Sequence, residues 1–184
     1  QVAVSDNPNG YVYTISTGAF TRITDEDWPG AAMIDFLDGY AIGITPDSGQ
    51  FWVTSLYDAS DVDALDFASA EGNPDRLVSL IVDHREVWLF GDRTVEVWYN
   101  SGDADFPLSR VDGAFLEVGC GAPHSVAKCD NAVMWLTDRR TVVRGYGYSP
   151  QIISTRAIEA ELSTYARVDD AIAFSYMEGG HAVY

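Results

Sequence analysis

Apolar and polar positions alternate in short runs along most of the chain. β-Branched and aromatic residues dominate each run, and Gly, Asp, Asn or Pro closes it, a pattern that predicts strands. "QVAVS" and "YVYTIS" flank "DNPNG", whose Asn9-Gly10 signals a tight turn. "FTRIT" follows Thr17-Gly18, and then come "YAIGIT", "QFWVTS", "LVSLIVD", "EVWLF", "TVEVWYN", "AVMWLT" and "TVVRGY". In "TVEVW", Val95 and Val97 fall on one face and Thr94, Glu96 and Trp98 on the other. A helix is predicted near "STRAIEAELSTY", capped by Ser154 or Thr155, with Ile158, Leu162 and Tyr165 on one apolar face. Residues 61–75 read as a long polar loop.

The strand pattern repeats. "REVWLFGDR" starts at Arg85 and "NAVMWLTDR" at Asn131, 46 residues later; Val87, Asp92 and Arg93 recur as Val133, Asp138 and Arg139. "GYAIGITPD" starts at Gly39, 46 residues earlier, and "GHAVY" at Gly180, 49 residues after Asn131. Units of this period predict an all-β fold of the β-propeller type, with about four strands to a blade. The alternative is a β-sandwich with evenly spaced hairpins. A propeller requires burial on both faces of a blade, and "VWLF" is apolar on both. Residues 1–184 read as a single all-β domain. The last unit stops at Tyr184 as its first strand begins, so the natural chain is expected to be longer, or a partner to supply the missing surface.

Composition narrows the function. Hydrophobic residues make up 47% and charged residues 21%, a globular balance. A formal net charge of −17 argues against wrapping nucleic acid and favours solubility or a basic partner. Cys120 and Cys129 are too few for a disulfide framework or a four-thiolate zinc site. They could bridge, but their spacing does not require it, and reduced thiols are expected. No run approaches the length of a membrane span. No signal peptide is visible and no initiator Met stands at position 1, so a fragment, a processed chain or a partial one is expected.

Candidate chemistry is sparse. The acidic groups Asp25-Glu26-Asp27, Asp61 with Asp63, and Asp103 with Asp105 do not match a calcium loop. His84, His124 and His181 lack metal-ligand spacing. The chain has no G-x-S-x-G elbow and no phosphate-cradling glycine loop. A propeller glycosidase would need paired carboxylates, and the repeated sialidase boxes are not present. Glu96 beside Trp98 remains the one carboxylate that invites a catalytic reading.

"WLFGDRTVEVWYNSGDADFPLSRVDGAFLEVGCGA" resembles the packaged-DNA stabilisation protein, or tail-hub accessory factor, family of short-tailed phages. The resemblance rests on Trp88 to Gly91, Glu96, Trp98, Gly102, Phe106-Pro107, Arg110 and Gly119-Cys120. "DALDFASAEGNPD", "STRAIEAEL" and "GHAVY" add to it. It implies a virion structural protein and not an enzyme. Such proteins form a homo-oligomeric ring below the portal, help to plug the channel, and give a platform for needle and tailspikes. It implies synthesis in the bacterial cytoplasm, residence in the virion tail, and portal and tail proteins as partners; the charge and hydropathy add the expectation of neither membrane nor direct nucleic-acid binding. The alternative function is a carbohydrate-binding or glycoside-cleaving propeller.

No catalytic, cofactor-binding or metal-ligating residue is assigned, and no cofactor is expected. The loop "NSGDADFPLSR" carries a Phe-Pro anchor among acids. It supplies a candidate interface at Asp103, Asp105, Phe106 and Pro107, or else a connection between blades packed on its own core. Glu96 is expected to be a buried or interfacial carboxylate, hydrogen-bonded or paired with an arginine such as Arg93 or Arg110.

Overall fold

The computed structural model describes residues 1–70, 72 and 75–184. The first sheet holds β1 (Val2–Ser5), β2 (Gly10–Thr14) and β3 (Ala19–Arg22). The second holds β4 (Met33–Leu37), β5 (Tyr40–Ile44), β6 (Gln50–Val53) and β7 (Phe67–Ser69). The third holds β8 (Leu77–Asp83), β9 (Glu86–Gly91), β10 (Val95–Asn100) and β11 (Leu108–Leu116). The fourth holds β12 (Ala127–Cys129), β13 (Ala132–Leu136), β14 (Val142–Tyr146) and β15 (Ser149–Ile152). After helix α1 (Arg156–Thr164), β16 (Tyr176–Glu178) and β17 (His181–Val183) form the fifth sheet. Every sheet is an antiparallel meander in chain order, and the three central ones are four-stranded blades.

The all-β architecture and the repeat hold, and the repeat has a local cause. In each of the last four sheets the first two strands are joined by a two-residue turn: Asp38-Gly39, His84-Arg85, Asp130-Asn131 and Gly179-Gly180. Both residues of each turn have positive φ, the requirement of a type I′ hairpin. Gly39, Arg85, Asn131 and Gly180, where the repeated segments begin, are the second residues of these turns. Gly180 to Tyr184 therefore does not open its unit: β16 precedes it, and β17 is a second strand like β5, β9 and β13. β16 escaped the pattern because "YME" is exposed throughout.

The third sheet is covered on both faces. Val87 and Leu89 pack with Ile42, Phe51 and Val53 of the second sheet. Trp88, Phe90, Val95 and Val97 pack with Val133, Trp135 and Val143 of the fourth. Phe90 meets the edge of Trp135 at 5.2 Å between ring centres. This two-sided burial is what stacked blades require and what the apolar run in β9 implies.

Other expectations need correction. β7 falls inside residues 61–75, which read as loop; Glu71, Asn73 and Pro74 of that segment lie outside the described residues. β11, the longest strand, leaves no clear sequence pattern because its exposed middle, including Gly113 at positive φ, breaks the alternation. Thr155, not Ser154, caps α1: its Oγ1 accepts from the Ile158 amide at 3.4 Å. Ser154 Oγ instead accepts from the Val142 amide and donates to Glu159. The apolar face of α1 finds little cover, with Ile158 and Tyr165 both about half exposed. The Arg140 guanidinium fixes the end of the helix by donating to the carbonyls of Leu162, Ser163, Tyr165 and Ala166.

The two-faced core makes a simple prediction. Phe90→Ala should cost about 3–5 kcal/mol by chemical denaturation, because it empties a site at 0% exposure. Phe36→Ala, at a 61% exposed position on β4, should stay within about 0.5 kcal/mol of the parent.

Candidate functional site

Glu96 lies on β10, on the face turned toward the second sheet, and is 2% exposed. Burial of a carboxylate at this depth requires donors, and three groups converge on it. The Gly72 amide donates to Oε1 at 2.6 Å. The Trp98 indole N–H donates to Oε2 at 3.1 Å. The Arg110 guanidinium lies 3.7 Å from Oε1. A bulge in the β10–β11 pairing sets Arg110 opposite Trp98 and so beside the carboxylate. Arg93 is not at this site; its amide donates to Asp75 Oδ2 at 2.8 Å.

Gly72 belongs to the connection between β7 and β8, the crossover from the second sheet to the third. A Cβ there would stand 2.6 Å from Glu96 Oε1 and would also strike Phe115. The close approach therefore demands glycine. The far end of the same crossover is held in reverse. Asp75 Oδ2 accepts from the Arg93 and Thr94 amides, both at 2.8 Å, and from Thr94 Oγ1 at 3.0 Å. A side chain at Gly91 would occupy the space of this carboxylate. One buried carboxylate of the sheet thus grips the crossover, and one carboxylate of the crossover grips the sheet.

The third motif region is the loop between β10 and β11. It is a hairpin within one sheet and not a connection between blades. Its neck is closed by the Ser101 amide donating to the Pro107 carbonyl at 2.8 Å. Pro107 is buried, and half-buried Phe106 meets the edge of Phe51 at 5.9 Å. The Phe-Pro pair is the loop's inward anchor, and Asp103 and Asp105 stand exposed at its tip. The Asp105 amide donates to Asp103 Oδ1 at 3.0 Å, which rounds that tip.

Cys120 and Cys129 are free and buried. Burial pushes the Cys120 thiol up to about 11, and its Sγ donates to the Ala122 carbonyl, so it is a poor nucleophile. His181 stands exposed at the start of β17. Among the described residues no group of three or more His, Cys, Asp or Glu gathers as a metal site. A groove of about 450 Å³ runs between β1 and β4, lined by Ala3, Ile34, Phe36 and Tyr57 among others; Glu96 does not line it. Chemically, Glu96 is an acceptor with its oxygens committed to donors inside an inter-sheet junction. That geometry suits holding two sheets together.

Two contributors escaped the sequence reading: the Gly72 amide, a backbone donor from a distant loop, and Asp75. The only available signal for Asp75 was its place at the end of "EGNPD", a segment that also carries the family resemblance.

Comparison with known families finds a match over residues 1–183 to the family described as Bacteriophage P22 Gp10, beta-propeller. No curated protein matches the chain.

Glu96→Gln replaces one acceptor oxygen by an amide that faces a donor. It should destabilise the fold by about 1–3 kcal/mol in denaturant titration. Arg110→Ala should cost at most about 1 kcal/mol, because that side chain is 47% exposed.

Proposed function

We propose a virion role from one fact: this chain belongs to the bacteriophage P22 Gp10 β-propeller family. Its family makes it a phage structural protein concerned with stabilisation. In the finer reading it is a tail hub. It assembles as a homo-oligomeric ring, joins the portal to the needle and tailspikes, and helps to retain the packaged DNA. The family match over residues 1–183 carries this reading.

The physical chemistry supports it. The motif residue that could suggest catalysis, Glu96, is engaged in structure and binds the crossover, and Phe106 packs against the core. Rigid blades with engaged carboxylates suit an adaptor under mechanical strain. A formal charge of −17 disfavours contact with phosphate, so DNA is held by obstruction of the channel and not by binding. The same charge draws basic surfaces of neighbouring virion proteins. The loop tip at Asp103 and Asp105, held rigid by Phe106 and Pro107, is the proposed contact.

The full-length protein mixed with portal rings should form a ring-shaped complex visible by electron cryo-microscopy. It should show no turnover of glycosides. Hydrolysis abolished by a single carboxylate substitution would overturn the hub reading. Replacing Asp103 and Asp105 together by Lys should weaken portal association by on the order of tenfold and flatten its salt dependence. Thermal stability should be left near that of the parent.

A further inference from the structure

The type I′ turns contact one another across blades by a rule. Arg85, second residue of its turn, donates through Nη2 to Oδ2 of Asp38, first residue of the preceding turn, at 2.8 Å. His84, first residue of its turn, meets Oδ1 of Asn131, second residue of the following turn, through Nε2 at 2.9 Å. Both rungs join first residue to second, and both span 47 positions. The 46-residue period brings these positions into line along one rim of the stacked sheets. The next first-to-second pair is Asp130 and Gly180, 50 positions apart, and Gly180 has no side chain. The Asp130 carboxylate turns instead to Arg144, at 3.1 Å.

The rung between the third and fourth sheets is the one built on an imidazole. His84 Nδ1 stands 2.7 Å from Asp83 Oδ2, so both ring nitrogens face oxygen atoms. Only the imidazolium donates to both at once. When the proton leaves, one nitrogen presents a lone pair to an acceptor, and the Asn131 amide must rotate or the contact opens. We propose that this rim is a proton-controlled clasp: protonation of His84 locks the third sheet to the fourth, and the run of rungs ends where Gly180 has no side chain to offer.

The surroundings favour the charged form. Asp83 lies on the preceding strand and Glu86 on β9, while Asp112 and Arg110 of β11 line the adjoining groove. Asp38 is engaged by Arg85, and Glu86 accepts from the Tyr148 hydroxyl at 2.5 Å. The hydrogen bond to Asp83, then the charge of Asp83, then the contact with Asn131 raise the His84 pKa above 6.5. A pKa raised in the folded state means that the clasp contributes fully below about pH 6.5 and is lost as pH rises through the folded value.

The test uses the full-length protein between about pH 5 and 9. The His84 ring is titrated by NMR, and hydrogen exchange is followed at the turns between β8 and β9 and between β12 and β13. Protection at both turns should fall on the order of two- to fivefold as His84 loses its proton, the scale of an exposed charged contact. Asn131→Ala should move the His84 titration down toward the ordinary histidine value, and His84→Gln should abolish the pH step while leaving the chain folded. A titration unmoved by Asn131→Ala, or a step that survives His84→Gln, overturns the clasp. Gly180 has φ of +85°, and a Cβ added to it would meet nothing within 4 Å. Gly180→Asn can therefore extend the run, asparagine being tolerant of that backbone. It should slow exchange at the turn between β16 and β17, and Asp130→Ala should cancel the gain. No gain, or a gain that survives Asp130→Ala, refutes the positional rule.

Discussion

Over Val87–Phe90 and Val95–Val97 the inner strands of the third sheet are buried on both faces, so β9 and β10 must be covered from both sides at once. Leu89 at 1% exposure and Phe90 at 0% are adjacent residues that point into different cores. A single sheet cannot satisfy this condition alone, and neither can a pair. Stacking in series follows, and each crossover must then deliver the chain to the next sheet at a fixed position. The carboxylates at Glu96 and Asp75 do this where apolar packing cannot, because they bind backbone amides whose direction is specific.

The family match gives these residues a context beyond their local roles. Polar contacts of this kind have few alternative arrangements and so fix one geometry. Gly72, Gly91, Glu96 and Trp98 all act at junctions between strands and crossovers. These four lie in segments that carry the resemblance, and they register one sheet against the next. Their chemistry goes into position, which is why a carboxylate beside a tryptophan can look catalytic in a string of letters and be structural in space.

Strands with apolar residues on both faces, β9 and β13 above all, were legible because no other state accommodates such short, dense runs. The outer strands β7, β11 and β15 were not, since half-exposed strands carry mixed side chains without clear alternation. The sequence placed Glu96 as a buried or interfacial carboxylate with Arg93 or Arg110 as partner; it is buried, with Arg110 beside it and Arg93 elsewhere. The Gly72 amide could not be anticipated, because backbone donors leave no mark on residue type. The Phe106-Pro107 anchor was visible, but its direction depended on Phe51, 55 residues away in the chain. The turn contacts had a signal in plain sight, since the period starts on the turn residues themselves. The dense apolar strands that follow each turn are simply the more conspicuous half of the repeat.

Helix α1 differs in kind from the sheets. None of its residues is buried, and one guanidinium, that of Arg140, gathers the carbonyls at its end. Its seat is electrostatic, a cation on the negative pole of the helix, whereas the blades are joined chiefly by packed hydrocarbon. Dissolved salt screens the first kind of bond and strengthens the second. Ionic strength therefore acts first on the helix, loosening an outrigger, and on the exposed rim contact of Arg85 with Asp38, while the apolar hull stays closed.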